Sequence, residues 1–551
     1  MCFSKIPTVT VTSLSFVFFS LVAEKNVQQT PQEEQPHFFN LITESNKAEK
    51  NVQQTPQEEQ PHFFNLITES NKAEKNVQQT PQEEQPHFFN LITESNKVAT
   101  VPVREGDIAV VPGRSAIICD GDSCRWPKNQ AGLVNVPYDL STDYSDSDRS
   151  VFDKAMQEFA TLTCIRFVPH SQEKDYLQII PDSGCWSYVG RMGNGAQMIS
   201  LVSGCMTSGS VQHELNHALG FFHEQSRSDR DGYVIINTQN IQPGMATNFK
   251  KFNTFNQGLA YDYGSVMHYP SNAFSIDPSL PTIVPTPNAS VPIGQRKGIS
   301  NQDVSKINKL YNCGLCRTLL SESSGSLASS SYPSNYPSAS NCLWLIRIPS
   351  GQVFLQFSAF DVQSTPGCTS DYLRIYDGAS TSSPVLLANV CGSGQLPPMV
   401  SSSNVLLLEF ASDNSTEATG FMATYSSVSC GAMLTSSEGT FSSPNYPSAY
   451  NPNMECSWVI TAPPGFVVFV NMTDFRLEVD RKCSNDYVVA YDGPKTTSPQ
   501  LARYCGSVGQ KNFTSKASTV LTQFRSDSSI QLRGFSASYV FVPNKVNGTN
   551  A

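Results

Sequence analysis

The most constraining feature of the sequence is an eleven-residue run, His213-Glu214-Leu215-Asn216-His217-Ala218-Leu219-Gly220-Phe221-Phe222-His223. Residues four apart share a helix face, so His213 and His217 present two imidazoles side by side with Glu214 next to them. Gly220 is free to take a left-handed conformation, which ends the helix and lets His223 turn back toward the same point. Three protein ligands that leave one position open are the pattern of a catalytic zinc site, not of a closed structural one. Zinc lowers the pKa of water in that position to about 7, and Glu214 is placed to take the proton. About forty residues downstream, Ser265-Val266-Met267-His268-Tyr269 supplies Met267 as an apolar floor beneath the metal.

The runs HELNHALGFFHEQSRSDRD and YDYGSVMHY resemble the astacin family of zinc endopeptidases. The resemblance covers residues 115–314 and implies an α+β metzincin protease domain, a zinc helix against a twisted sheet. By that resemblance His213, His217 and His223 are zinc ligands, Glu214 is the general base, and Tyr269 is a phenol donor to the oxyanion. Glu224 matches the glutamate that engages the mature N-terminus. The same resemblance implies disulfides Cys164–Cys313 and Cys185–Cys205. It also makes Cys185-Trp186-Ser187-Tyr188 an edge strand on which an extended substrate pairs; an ordinary strand pinned by a disulfide is the other reading. Glu105-Gly106-Asp107 resembles the propeptide motif whose aspartate takes the open zinc position in the latent form, although Arg104 stands where the family usually has Phe. Cleavage after Arg114 by a trypsin-like protease then frees the Ser115 amine to approach Glu224. The close pair Cys119–Cys124 resembles an additional cystine of the egg-hatching enzymes of fish and amphibians.

Upstream, Lys5 and the apolar stretch Leu14 to Ala23 read as an export signal over residues 1–23. Residues 24–114 form a propeptide, and residues 23–97 are three identical copies of AEKNVQQTPQEEQPHFFNLITESNK. Each copy is mostly Gln, Glu, Asn and Pro with one apolar patch, FFNLI, too little to offset the entropy of ordering. The expectation is a mostly disordered spacer with a transient helix at each patch, its copy number unimportant. His37, His62 and His87 make a poor chelator at one per unit and read as coincidental repetition. The net charge of −10, of which the repeats contribute −6, offers no basic face for nucleic acid. Beyond the signal no apolar run reaches the ~18 residues needed to span a bilayer. Of 15 Cys, Cys2 lies in the signal, which leaves an even 14. With sequons at Asn288, Asn414, Asn471, Asn512 and Asn547, this places the chain outside the cell, with secretory granules as one route.

Beyond Cys313 the sequence becomes Ser-rich with alternating apolar stretches such as VFLQF and CSWVITA, a pattern of short strands in an all-β sandwich. Cys316, Cys342 and Cys391 recur 114 residues later as Cys430, Cys456 and Cys505, Cys368 recurs as Cys483, and CTSDYLRIYDG matches CSNDYVVAYDG. Residues 316–427 and 430–541, followed by a tail 542–551, resemble two CUB domains. The expected fold is therefore multidomain, a protease domain followed by two CUB sandwiches. The CUB resemblance implies disulfides Cys316–Cys342, Cys368–Cys391, Cys430–Cys456 and Cys483–Cys505. It also implies a calcium site at Glu478, Asp486 and Asp527; the first copy offers Gln363, Asp371 and Asp413, one charged ligand fewer. This domain order resembles amphibian-type hatching enzymes, which implies egg-envelope glycoproteins as substrate, with the CUB pair concentrating the protease on that matrix. A tolloid-like processing protease of procollagen or growth-factor antagonists calls for additional CUB and EGF-like modules. A non-catalytic matrix-binding protein calls for loss of a ligand or of Glu214, and all are present.

Overall fold

A computed structural model describes residues 87–110, 123–507, 509 and 511–544. The export signal, the first two repeats, Arg114, Ser115, Cys119 and Asn547 lie outside the described residues. Among the described residues, helices α1 (His87–Ser95), α2 (Asp146–Leu162), α3 (Ser208–Leu219) and α4 (Asn301–Leu310) all precede the two C-terminal copies. Ser145 with Asp148, and Ser300 with Asp303, form reciprocal capping boxes that satisfy the free amides opening α2 and α4. Thr207 caps α3 by accepting from the Ser210 amide. At the other end of α3, Gly220 adopts φ 112°, the left-handed stop that the sequence predicts. No helix among the described residues is long and apolar enough to cross a membrane.

Strands β1 (Val103–Arg104), β2 (Ile108–Ala109), β3 (Val134–Leu140), β4 (Ile165–Pro169), β5 (Tyr176–Ile180), β6 (Cys185–Ser187) and β7 (Ala196–Leu201) form one sheet, ordered β1-β2-β6-β7-β5-β3-β4. The four strands β4, β3, β5 and β7 run parallel, and β6 pairs antiparallel with β7. Strand β2 lies on the outer side of β6, parallel to it at Ile108 and Ser187, and β1 folds back on β2. Residues 103–109 thus add a hairpin to the edge marked out for substrate. Helices α2 and α3 pack together on this sheet; Phe152, Phe159, Leu215 and Leu219 are buried among Val134, Val136, Ile165 and Ile199.

The third repeat departs from the spacer expectation. Its HFFNLITES stretch is α1, and Phe89 and Ile92 are both buried. Ile92 joins the core that contains α3, while Phe89 joins a second cluster with Phe249, Tyr261 and Tyr269. Nine residues do not hold a helix alone. Here the apolar side chains meet a groove already built by the protease domain, and that burial stabilises what local sequence cannot.

In each C-terminal copy two sheets face one another. Cys316 stands opposite Cys342 in a parallel pair of strands, and Cys430 stands opposite Cys456 in the same way. The predicted pairs Cys164–Cys313, Cys185–Cys205, Cys316–Cys342, Cys368–Cys391, Cys430–Cys456 and Cys483–Cys505 are all formed. The sequon residues Asn288, Asn414 and Asn512 are exposed, and Asn471 faces Asn512 directly across two antiparallel strands.

The first CUB copy shares a core with the protease domain through Leu319, Leu343, Leu345 and Leu407. At its rim the Arg347 guanidinium pairs with Glu158 on α2 and donates to the Ile299 carbonyl at 2.8 Å. Glu158 also accepts from Gln212 at 2.7 Å, one residue before His213. Arg347→Ala strips the nearly buried Glu158 of its counter-charge, at an expected cost of about 3–5 kcal/mol. The readout is a lower urea midpoint, and the neutral pair Glu158→Gln/Arg347→Met is expected to recover much of the loss.

Candidate active site

Every α3 residue from Gly209 to Leu219 is buried, so its polar groups find partners within the protein or converge on one another. The rings of His213, His217 and His223 lie 4.8 to 5.2 Å apart, centre to centre. Each Nδ1 is tied back: His213 to the Val266 carbonyl at 2.8 Å, His217 to the Phe221 carbonyl at 2.7 Å, and His223 to the Glu105 carboxylate at 2.8 Å. Occupying Nδ1 as a donor orients each ring and turns its Nε2 toward the shared centre. There the Asp107 carboxylate lies 3.1 Å from His213 Nε2, 3.0 Å from His223 Nε2 and 3.7 Å from His217 Nε2.

This donor set fits a metal ion. One ligand atom from each of the four residues lies within 4.8 Å of the others, and the buried His217 Nε2 has no hydrogen-bond partner. Burial, with Arg296 next in effect, depresses His213 to about 3, so its ring is neutral and available as a ligand. Burial likewise lowers His217. Burial also opposes a charge on His223, but Asp107, backed by Glu105, outweighs it and lifts this ring to about 9. Burial works to raise Asp107 too, yet the histidines, His223 foremost, hold it well below the usual carboxylate range.

Glu214 is fully buried and neither of its carboxylate oxygens has a hydrogen-bond partner. Burial and then the Asp107 charge push it well above the ordinary carboxylate range. The Tyr269 ring sits 4.7 Å from that of His223, and its hydroxyl donates to the Glu105 carbonyl. Burial raises this phenol further, so it stays protonated as a donor. Met267 is buried in the α3 core, on a turn anchored where Asp303 accepts from Ser265 Oγ at 2.6 Å and the Val266 amide at 2.9 Å. The Glu224 carboxylate is engaged by Lys306 at 2.6 Å, Arg227 at 3.1 Å and the Asp262 amide at 2.8 Å. Ser115, its expected partner, is outside the described residues.

On the edge strand β6, Trp186 is fully buried and Tyr188 lies just past the strand end. The Ser187 amide donates to the Asp107 carbonyl at 3.0 Å. Cys185 is held at both ends by one side chain: its amide donates to Asn96 Oδ1 at 2.7 Å, and its carbonyl accepts from Asn96 Nδ2 at 2.8 Å. Sequence reasoning missed Asn96, because an Asn in a polar repeat carries no signal until β6 is beside it. It also missed how Arg104 fits. The guanidinium lies 4.9 Å from the Phe252 ring centre and 5.7 Å from that of Phe222, the residue before His223. The Arg104 cation is thus held against two aromatic faces. Arg296, buried, donates to the His268 carbonyl at 3.0 Å and adds positive charge near Glu214 and Asp107.

In the second CUB copy, ligand oxygens of Glu478, Asp486 and Asp527 lie within 4.8 Å of one another, and Glu478 Oε2 is buried without a partner. In the first copy Asp371 accepts from the Tyr336 hydroxyl and the Asp413 amide, and Gln363 brings no carboxylate.

Residues 122–312 match the astacin peptidase family, and residues 314–425 and 430–539 each match the CUB domain. Embryonic protein UVS.2 of Xenopus laevis is 50% identical over 441 residues, 80% of this chain and 85% of that protein. The astacin-like metalloendopeptidase of Gallus gallus is 48% identical over 326 residues, 59% of this chain and 79% of that protein. Human tolloid-like protein 1 is 36% identical over 422 residues, 75% of this chain and 41% of that protein.

Proposed function

The chain belongs to the astacin family of metalloendopeptidases, and from that premise we propose a secreted zinc endopeptidase, latent until cut after Arg114, that digests the glycoprotein envelope of an egg. The observation that carries this reading is the convergence of three tethered imidazoles on Asp107, with the unpartnered Glu214 carboxylate buried beside them. His213, His217 and His223 hold the zinc. When bound, the ion supplies Lewis acidity that polarises a carbonyl and acidifies water.

The chain's own residues do the rest. Once residues 103–109 leave, β6 regains a free edge on which an extended substrate backbone pairs. Once the Asp107 charge has left, Glu214 in its ionised form takes a proton from the attacking water and returns it to the departing amide nitrogen. Tyr269, released from the Glu105 carbonyl, donates its hydroxyl to the oxygen on which charge develops. The Nδ1 partners on Val266 and Phe221 belong to the protease domain and stay in place to orient the rings. The likeness to a protein named as embryonic, together with the order of protease and CUB pair, supports the envelope as target.

The test is digestion of a peptide library by the Arg114-cleaved chain, with cleavage expected to stop on zinc chelation and return on zinc addition. Isolated egg envelopes, treated in parallel, are expected to dissolve. Envelopes left intact by a chain active on peptides would move the target toward matrix or growth-factor regulators. In the second CUB copy, Glu478, Asp486 and Asp527 are proposed to take one calcium ion, with a Kd on the order of 10⁻⁴–10⁻³ M. Calorimetric titration of the full chain is expected to show this uptake, and Asp527→Asn to remove it.

A further inference from the structure

The repeat segment that forms α1 bridges the two sides of the cleft. Phe89 packs 4.8 Å from Tyr269 and 5.3 Å from Phe274, ring to ring, on one side. On the other, the Asn96 carboxamide pairs with both the amide and the carbonyl of Cys185, as a neighbouring strand does, and its Nδ2 also donates to the Gly106 carbonyl at 2.6 Å. The groove is shaped for this side chain: a Cβ on Gly184 would stand 1.8 Å from Asn96 Oδ1. The segment HFFNLITESNK occurs letter for letter at 37–47, 62–72 and 87–97, so Phe89, Ile92 and Asn96 have exact counterparts in Phe39, Ile42 and Asn46, and in Phe64, Ile67 and Asn71.

We propose that the groove between β6 and Tyr269 is a docking site for this eleven-residue segment in any of its three copies, and that the two spare copies let one chain's propeptide occupy the vacated groove of a second, processed copy of the chain. The three copies are then interchangeable ligands, and their number sets how much inhibitor one uncut chain carries. In cis the third copy wins by proximity: eleven residues separate Asn96 from Asp107, against thirty-six from Asn71. Local concentration falls roughly as the −3/2 power of linker length, so the middle copy is disfavoured only about sixfold and can stand in for the third. The proposal rests on the latent-protease reading above.

The test uses a fluorescently labelled peptide of residues 87–97 and the full-length, Arg114-cleaved chain. Saturable binding is expected, weakened by about tenfold or more in the peptide carrying Asn96→Ala, which forfeits the paired hydrogen bonds to Cys185. On an active processed chain the same peptide is expected to slow cleavage of a short substrate competitively. In the uncleaved chain, hydrogen exchange at the Cys185 amide is expected to stay protected in Asn96→Ala and to become fast in Asn46→Ala/Asn71→Ala/Asn96→Ala. No binding by about 1 mM peptide, equal binding of the Asn variant, binding that leaves cleavage unslowed, or full loss of protection in Asn96→Ala alone would each overturn the proposal. Binding and exchange are read without turnover, so a chain that binds the peptide but cleaves nothing sinks the protease reading and not this one.

Discussion

Glu214→Gln is expected to lower kcat/KM of the processed chain by about 10³-fold, within the 10²–10⁴ that a positioned acid–base group contributes. That corresponds to about 4 kcal/mol of lost transition-state stabilisation. Glutamine keeps the shape of the side chain and removes only its ability to carry a proton between water and leaving nitrogen. Glu214 is adjacent to His213 in sequence but is not among the converging ligand atoms, so the variant is expected to retain one zinc per chain by elemental analysis. His217→Ala is the contrasting case, because it deletes a ligand and is expected to lose metal and activity together. A Gln variant with full activity would leave Glu214 without a role in proton transfer, and its two unpartnered, buried oxygens without an explanation.

How much of this was legible in the sequence follows from how local each feature is. The zinc helix is written in four- and six-residue spacings, and Gly220 stops it where the spacing requires; neither needs knowledge of the remainder of the chain. The four CUB disulfides were legible only through the resemblance to CUB domains, and strand register sets Cys316 against Cys342 and Cys430 against Cys456. What stayed hidden depends on partners far away in sequence. The α1 helix carries too few apolar residues to be read as ordered, and its stability comes from Tyr269, Phe274 and Cys185, each at least 89 residues on from its contact. Arg104 looked like a departure from a motif until Phe222 and Phe252 were placed beneath it. Arg296 lies over seventy residues beyond the histidine run and shows no spacing that ties it to Glu214, whose charge it feels.

Asp107→Ala is expected to give an uncleaved chain that turns over short peptides on the order of 10²-fold faster than the uncleaved wild type, the gain expected from removing charge-assisted contacts worth about 1.5–3 kcal/mol each. In the latent chain the Asp107 carboxylate meets His213 and His223 at 3.1 and 3.0 Å, and its backbone carbonyl is fixed to the Ser187 amide at 3.0 Å. Deleting the carboxylate leaves that backbone anchor and the α1 contacts intact, so the two halves of latency separate. The open position at the centre of the three imidazoles is freed for water, while the cleft edge stays covered by β2 and by Asn96. Short peptides that need little of β6 are therefore expected to be cleaved, and long extended ones to remain poor substrates until Arg114 is cut. Asp107→Asn keeps the side-chain volume but loses the charge, and is expected to fall between wild type and Ala. A silent Asp107→Ala chain that becomes fully active on Arg114 cleavage would mean that steric cover by residues 87–109 alone enforces latency, with the carboxylate contributing stability and not inhibition.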